Sequence, residues 1–575
     1  MDEAEKESQM RESRENLLRE VLQKEFGGMD ATTWETLAPR IRWLQMAAGE
    51  ILCREGEPAD TMYVVLSGRL RASRQTEGVD HPLGEISRGE TVGEMALLSG
   101  GIRTATVRAM RDCVLAGLDR AGFVALARFS PESVLRVAQI QMQRLQRASL
   151  PPSPFKKHLC LAVHTFDARY DISAFARELH QQIAGRARSL LAIPENAPPG
   201  AGTAADERHR IALWLNEQEA ATDILIMDCG DGDTPWTRQC LRHADLVLLV
   251  GPPGVHPVLP PDLIPPGIPR TLLIIHPDRR TEPCGTAEAK AACGATAHFH
   301  LRQDVPGDIQ RLGRLLTGNA NGIAFAGGGA RSFAHLGVLS ALREHGIPLD
   351  MAAGTSLGAI VASGLSIDLD LEDLMRRFRI MVKTNPTRRD YLLLPRTSFL
   401  SGRKLDKLLP KLLPDMQIED CWKHFACISA NITHPGAHLH QSGSLLRALR
   451  ATVSIPGVFP PVVMENGDML VDGGVVNNLP ADILRDYGAS RLIACDQGGP
   501  SPSGEKPNAI GIIMRSVVLH SRISGRAWRT VADLYIESPV SDINLLEWDK
   551  FDLAVKRGYE HAKRCLENVD PSAWQ

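Results

Sequence analysis

Between Gly322 and Gly364 the chain twice sets an apolar run against a glycine-bearing turn and follows it with small residues. Gly322-Ile-Ala-Phe-Ala326 runs into Gly327-Gly-Gly-Ala-Arg-Ser332, and Leu349-Asp-Met-Ala-Ala353 runs into Gly354-Thr-Ser-Leu-Gly358, then Ala359-Ile-Val-Ala-Ser-Gly364. A strand that turns at once into a helix brings two backbones together and tolerates little side-chain bulk at the turn. Two such turns in succession predict an α/β region. The consecutive glycines of the first leave backbone N–H groups free to point at an anion, either a nucleotide phosphate or the oxygen of a tetrahedral intermediate. The second fits the G-x-S-x-G pattern of a nucleophile elbow, with Gly354 and Gly358 flanking Ser356 at a helix N-terminus. Further on, Met469-Leu-Val471 leads into Asp472-Gly-Gly474 and then Asn477-Asn-Leu-Pro480. That pattern sets a carboxylate at a strand end with room for close approach, as a general base requires.

In this order the three motifs resemble the patatin-like phospholipase family, over residues 320–500, and Arg450-Ala-Thr-Val-Ser-Ile-Pro-Gly-Val-Phe-Pro-Pro461 is similar to another of its segments. The resemblance implies Ser356 as nucleophile and Asp472 as base with no histidine, an acyl-enzyme intermediate, and no metal or cofactor for catalysis. It also implies an oxyanion loop of Gly327, Gly328, Gly329 and Arg331. Ser332 stands where the family motif ends in glycine, which predicts tighter packing behind that loop. The alternative among hydrolases is a Ser-Asp-His triad drawing on His520 or His561, although its oxyanion motif normally lies well upstream of the elbow. His335 reads as a packing or surface residue.

From Trp34 onward, short apolar runs alternate with glycine turns, which predicts a small β-sandwich or barrel closed by a helical stretch over 120–147, before the linker Pro151-Pro-Ser-Pro154. Within it, Val92-Gly-Glu-Met-Ala-Leu-Leu98 and Arg103-Thr104 supply an acid and an arginine around a short turn. A cyclic nucleotide needs the arginine for its phosphate and the carboxylate for its ribose hydroxyl. These residues resemble the phosphate-binding cassette of cyclic-nucleotide-binding domains. The resemblance implies Glu94 on the 2′-hydroxyl, backbone groups of Gly93 and Ala96, Arg103 on the phosphate, and cAMP or cGMP as a regulatory ligand; Thr104 hints at cGMP, and Ile102 replaces a usual proline. In the middle segment, HLCLAVHTF, 223–228, 245–250 and 271–275 read as buried strands, with helices over 171–191 and 206–219. That predicts a largely parallel sheet. No G-x-x-x-x-G-K-[ST] loop follows its first strand, and although MDCGDGD is similar to the acidic strand of a nucleotide hydrolase, the segment reads as structural or as a docking element.

The expected organisation is a charged lead helix (1–30), a β-barrel or jelly-roll domain (31–150), a Rossmann-like α/β domain (151–318), and an α/β hydrolase domain with a helical C-terminal extension (319–575). The combination resembles the neuropathy target esterase family of lysophospholipases. With one nucleotide module and no anchor expected, it resembles the short, bacterial-type members. Lys+Arg 65 against Asp+Glu 68 argues against nucleic acid as partner, and eleven cysteines without a C-x-x-C pair suit a cytoplasmic protein without disulfides or zinc. No secretory signal or apolar run of membrane-spanning length is present. A lipid substrate is therefore expected to be met from the surface, at the inner face of a membrane. The basic run Arg376-Arg-Phe-Arg379, Lys383 and Arg388-Arg389, followed by Tyr391-Leu-Leu-Leu394 and Phe399-Leu400, is a candidate for that contact. The expected activity is hydrolysis of fatty-acyl esters of (lyso)phospholipids. The alternative is a cyclic-nucleotide-responsive regulatory or lipid-binding protein with a vestigial hydrolase domain. Oligomeric state is open, with SVVLHSRISGRAW (516–528) a candidate packing or dimer surface.

Overall fold

Close-spaced turn residues break the N-terminal region into strands β1 (Arg42–Met46), β2 (Ile51–Cys53), β3 (Thr61–Ser67), β4 (Leu70–Thr76), β5 (Val79–Ile86), β6 (Thr91–Val92), β7 (Thr106–Ala109) and β8 (Cys113–Asp119). They pair antiparallel in two four-stranded sheets, β1-β8-β3-β6 and β2-β7-β4-β5. Val65, Leu70, Val107 and Leu115 fill one core of this jelly roll, as alternating apolar positions on short strands require. The structure is a computed structural model describing residues 31–76, 79–94, 101–129, 159–197, 204–498 apart from 261, 279, 281, 389 and 395, and 528–575, with isolated positions elsewhere. Most of the expected lead helix, the helical run beyond Phe129, the proline linker, Ala96, His520 and nearly all of 516–528 lie outside the described residues.

The chain forms two units, residues 1–250 with 258–271, and residues 251–257 with 272–575. In the first, β9 (Leu159–Thr165), β10 (Ser189–Ala192), β11 (Ile224–Asp228) and β12 (Leu246–Gly251) run parallel in the order β10-β11-β9-β12. The helix expected over 171–191 stops at Ala184, and the residues after it supply β10 instead.

Buried charges join the jelly roll to this sheet within the first unit. The Arg111 guanidinium donates to Glu219 and to the His243 carbonyl (2.5 Å), Arg69 Nη2 lies 3.2 Å from Asp245 Oδ2, and His243 Nε2 lies 3.0 Å from Glu219 Oε2. Burial alone would raise the Glu219 carboxyl; Arg111, and after it His243, outweigh burial and hold it well below the usual carboxylate range.

In the second unit, β13 (Arg270–His276) and β14 (Ala297–Arg302) are neighbours. The larger sheet holds β15 (Asn321–Phe325), β16 (Met351–Thr355), β17 (His424–Asn431), β18 (Gly436–His440), β19 (Val462–Val463), β20 (Met469–Asp472), β21 (Arg491–Asp496) and β22 (Leu534–Glu537). Its order is β19-β20-β17-β16-β15-β21-β22, with β18 also on β17. β16, β15, β21 and β22 are parallel to β17 or to one another in sequence across the sheet, whereas β18 and β20 run antiparallel to β17. Alternate residues of β15 serve opposite cores: Ile323 and Phe325 pack on one face, Ala324 on the other. Parallel strands covered on both faces read as continuous apolar runs, which is why these were legible. β22 departs from the helical C-terminal extension expected; four residues carry too little periodicity to be recognised. Among the described residues no helix is long and apolar enough to cross a membrane.

Replacing Arg111 with methionine leaves His243 as the basic partner of buried Glu219 and Arg69 as that of buried Asp245 among the described residues, and a loss of about 3–5 kcal/mol in urea-unfolding stability is expected. Arg242→Met, which breaks a half-exposed pair with Asp112, should cost less than about 1 kcal/mol; equal losses would contradict the assigned role of the buried network.

Candidate active site

Because β15 and β16 are adjacent and parallel, the turns that follow them emerge at the same edge of the sheet. After β16 the chain enters the helix Leu357–Ser366 through Ser356, whose backbone sits at φ 54, ψ −129, a region that non-glycine residues rarely occupy. A Cβ on Gly358 would lie 2.5 Å from the Phe325 carbonyl oxygen, and one on Gly354 would lie 2.6 Å from the Ala359 nitrogen. The elbow glycines are thus required by close approach. The Ser356 N–H donates to Thr452 Oγ1 (3.0 Å), which itself donates to the Ile428 carbonyl (2.5 Å).

β20 ends at Asp472, opposite Ser429 of β17. The Asp472 N–H donates to the Ser454 carbonyl (2.9 Å), and its Oδ1 accepts from the Gly474 N–H (2.8 Å). That leaves Oδ2 to accept from Ser356 Oγ at 2.6 Å. Both side chains are buried, at 8% and 5% exposure. Burial pushes the Asp472 carboxyl up to about 6, against the hydrogen bonds from Ser356 and Gly474 that favour its charged form. A carboxylate that changes protonation near neutral pH and touches a hydroxyl can act as a general base toward it. No histidine bonds to Asp472 among the described residues. His561 lies beside Cys565 Sγ at 3.5 Å, and His335 is buried with Nε2 3.0 Å from the Ala326 carbonyl and is pushed down to about 4 by burial.

In the glycine loop, the Gly327 N–H is taken by the Asn478 carbonyl (3.1 Å), whose Nδ2 donates back to the Gly327 carbonyl (2.9 Å). The Ala330 N–H is taken by Leu545 (2.8 Å). No protein acceptor meets the N–H groups of Gly328 and Gly329 among the described residues, which leaves these two donors unused by the protein. The structure differs from the expected loop at two positions. Gly327 has no free donor, and Arg331 turns away to donate to the carbonyls of Ile543 (2.6 Å) and Ser541 (2.8 Å), so it tethers the loop. Behind the loop, Gln497 Nε2 donates to Ser332 Oγ (2.9 Å) and the Ala326 carbonyl (2.7 Å), so the extra hydroxyl is absorbed by a partner. Thr452, Asn478 and Gln497 carried no role in the sequence reading. The first two sit inside segments already picked out there, and Gln497 has no local signal.

In the first unit, Arg103 is buried, its Nη2 donates to the Thr61 carbonyl (2.8 Å), and its Nε and Nη1 find no acceptor among the described residues. Gly93, at φ 87, abuts the same guanidinium so closely that a Cβ there would collide with Nη1. Glu94 is buried, and Thr104 is exposed. A buried guanidinium with two open donors suits an anion.

Family models match the chain at residues 43–128 (Cyclic nucleotide-binding domain), 161–260 (Neuropathy Target Esterase family P-loop like domain) and 323–485 (Patatin-like phospholipase). The chain is 29% identical to Patatin-like phospholipase domain-containing protein 7 of Rattus norvegicus, over 90% of this chain and 45% of that one. It is 30% identical to Patatin-like phospholipase domain-containing protein 6 of Homo sapiens, over 80% and 38%. With Lysophospholipase NTE1 of Yarrowia lipolytica it shares 27% over 92% and 46%. The chain spans less than half the length of these relatives.

Labelling of Ser356 by a fluorophosphonate should rise with pH through an apparent pKa near 6 and level off above it, because protonated Asp472 cannot accept the serine proton. Asp472→Asn should remove that profile and slow labelling at least about a hundredfold. Since folding raises this carboxyl, its native charged form costs stability as pH rises from about 4 to 6. Asp472→Asn should therefore be more stable relative to wild type at pH 8 than at pH 4, by about 2 kcal/mol, in paired unfolding curves.

Proposed function

We propose that this chain, which carries a patatin-like phospholipase domain beside a cyclic nucleotide-binding domain and a P-loop like domain of the neuropathy target esterase family, is a serine carboxylic ester hydrolase acting on lysophospholipids and phospholipids. The observation that carries the reading is the 2.6 Å hydrogen bond between buried Ser356 and Asp472. Ser356 Oγ attacks the ester carbonyl as Asp472 takes its proton, and the Gly328 and Gly329 N–H groups receive the oxyanion. Collapse expels the lyso- or glycerophospho-alcohol, to which Asp472 returns the proton, and leaves an acyl-Ser356. Water then gives a proton to Asp472 and attacks the acyl carbon, and collapse releases the fatty acid as Asp472 returns that proton to Ser356 Oγ. The names of the relatives, two phospholipase-domain proteins and a lysophospholipase, support the choice of ester. A lipid substrate, together with cysteines that form no disulfide, supports a position at the cytoplasmic side of a membrane.

Purified protein should release fatty acid from lysophosphatidylcholine. Ser356→Ala should lower kcat by about a thousandfold or more, with its thermal transition retained. Full activity in that variant would overturn the assignment; absence of release and of fluorophosphonate labelling in wild type would favour a vestigial lipid-binding scaffold.

The nucleotide cassette is proposed to bind cAMP or cGMP through Arg103 and Glu94, with support from the two open guanidinium donors. Calorimetric titration should detect binding of one of them, weakened at least about tenfold by Arg103→Ala through loss of a charge-assisted pair. Wild type that binds neither would reject the ligand.

A further inference from the structure

The helix Leu371–Thr384 and the helix Arg403–Leu412 are joined by a loop that exposes Tyr391 (70%), Leu393 (101%), Leu394 (79%) and Phe399 (38%). Fully solvated leucines next to exposed aromatics form an apolar patch of the kind that marks an interaction surface. The loop is not a loose excursion. Leu392 N–H donates to the Phe399 carbonyl (2.9 Å), Phe399 N–H to Gly457 (2.8 Å) and Leu400 N–H to Val458 (3.0 Å). It is therefore fastened to the segment whose Thr452 holds the Ser356 N–H and whose Ser454 carbonyl holds the Asp472 N–H.

Beside it, Lys383, Arg388, Lys404 and Trp548 line a cavity of about 530 Å³, with Asp549 the one acid on its wall among the described residues. The Lys404 ammonium is anchored on the Arg388 carbonyl, and no protein acceptor meets the Lys383 or Arg388 side chain among the described residues. The arginines that precede them in the basic run are engaged elsewhere: Arg376 and Arg377 pair with Asp373, and Arg379 with Asp552 (3.0 Å). Cationic charge left open in a concave site, next to leucines left open on a loop, matches the two layers of one partner, phosphate above and hydrocarbon beneath. A protein partner would satisfy the leucines, but would need its own carboxylates at the same spacing; an anionic bilayer supplies both chemistries everywhere on its surface.

We propose that this face, from Lys383 to Phe399, is where the chain seats on an anionic phospholipid bilayer, with Leu393 and Leu394 entering the acyl boundary and the basic cavity receiving a lipid phosphate. Seating rests on the hydrolase reading only for the statement that the bilayer also holds the substrate.

The test uses the full chain in a Ser356→Ala background, so that vesicles stay intact, and measures co-sedimentation with phosphatidylcholine vesicles with and without phosphatidylglycerol. Binding should be stronger to the mixed vesicles and weaken as salt is raised. Adding Leu393→Asp and Leu394→Asp should lower partitioning at least tenfold. Adding Lys383→Glu and Arg388→Glu instead should abolish the preference for phosphatidylglycerol. Thermal transitions like that of the parent certify the fold of both variants. Unchanged partitioning of the leucine variant overturns the proposal, as does failure of the parent to bind mixed vesicles. So does a shift in oligomeric state by light scattering with vesicle binding unaltered, which would assign the patch to a second copy of the chain. If vesicles bind as described while wild-type Ser356 resists a fluorophosphonate, the docking surface stands and the hydrolase reading falls.

Discussion

A hydrogen bond of 2.6 Å between Ser356 Oγ and Asp472 Oδ2 ties together elements that reach the site from opposite directions, and much of the second unit exists to hold its two ends. Ser356 arrives at the end of a parallel strand, Asp472 at the end of an antiparallel one on the far side of β17. Register on β17 brings them together: Thr355 pairs with Ile428, and Asp472 pairs with the next residue, Ser429. The unusual backbone of Ser356 is sustained by tight contacts around Gly354 and Gly358 and by Thr452. Strain of this sort survives only where the surroundings over-determine it.

Three buried charges among the described residues are physically distinct. Glu219 is buried with Arg111 and His243 against it, and is held in its charged form. Asp472 is buried with only a hydroxyl and a backbone N–H as partners, and is poised near neutrality. Arg103 is buried with two donors open. The first arrangement sets opposite charges against each other and holds the jelly roll to the neighbouring sheet. In the second the carboxylate touches a hydroxyl, and in the third the guanidinium keeps two donors unmet among the described residues.

Packing and chemistry share residues throughout the second unit. Asn478 fixes the Gly327 peptide from both sides and so occupies its donor, while no acceptor among the described residues takes those of Gly328 and Gly329. Arg331 and Gln497 spend their polar groups on carbonyls and on Ser332, which keeps the loop's shape while contributing no group to the reacting atoms.

Much was legible in the order of residues alone. Continuous apolar runs ending in glycines marked β15 and β16, since strands buried on both faces need such runs, and the turns behind them set Ser356 and the glycine loop at one edge. Alternation with close turns marked the jelly roll. Short elements without periodicity, β10 and β22, were not recognisable, because four residues do not distinguish a strand from the end of a helix. Motif order also named Asp472, but its protonation near pH 6 is a matter of burial, which no local pattern encodes. The same is true of the roles of Gly327 and Arg331, which depend on where Asn478, Ser541 and Ile543 lie after folding. Sequence determined which groups the chain possesses and which strand ends carry them; tertiary structure decided which hydrogen-bonding atoms remain open, because that depends on partners far away in the chain.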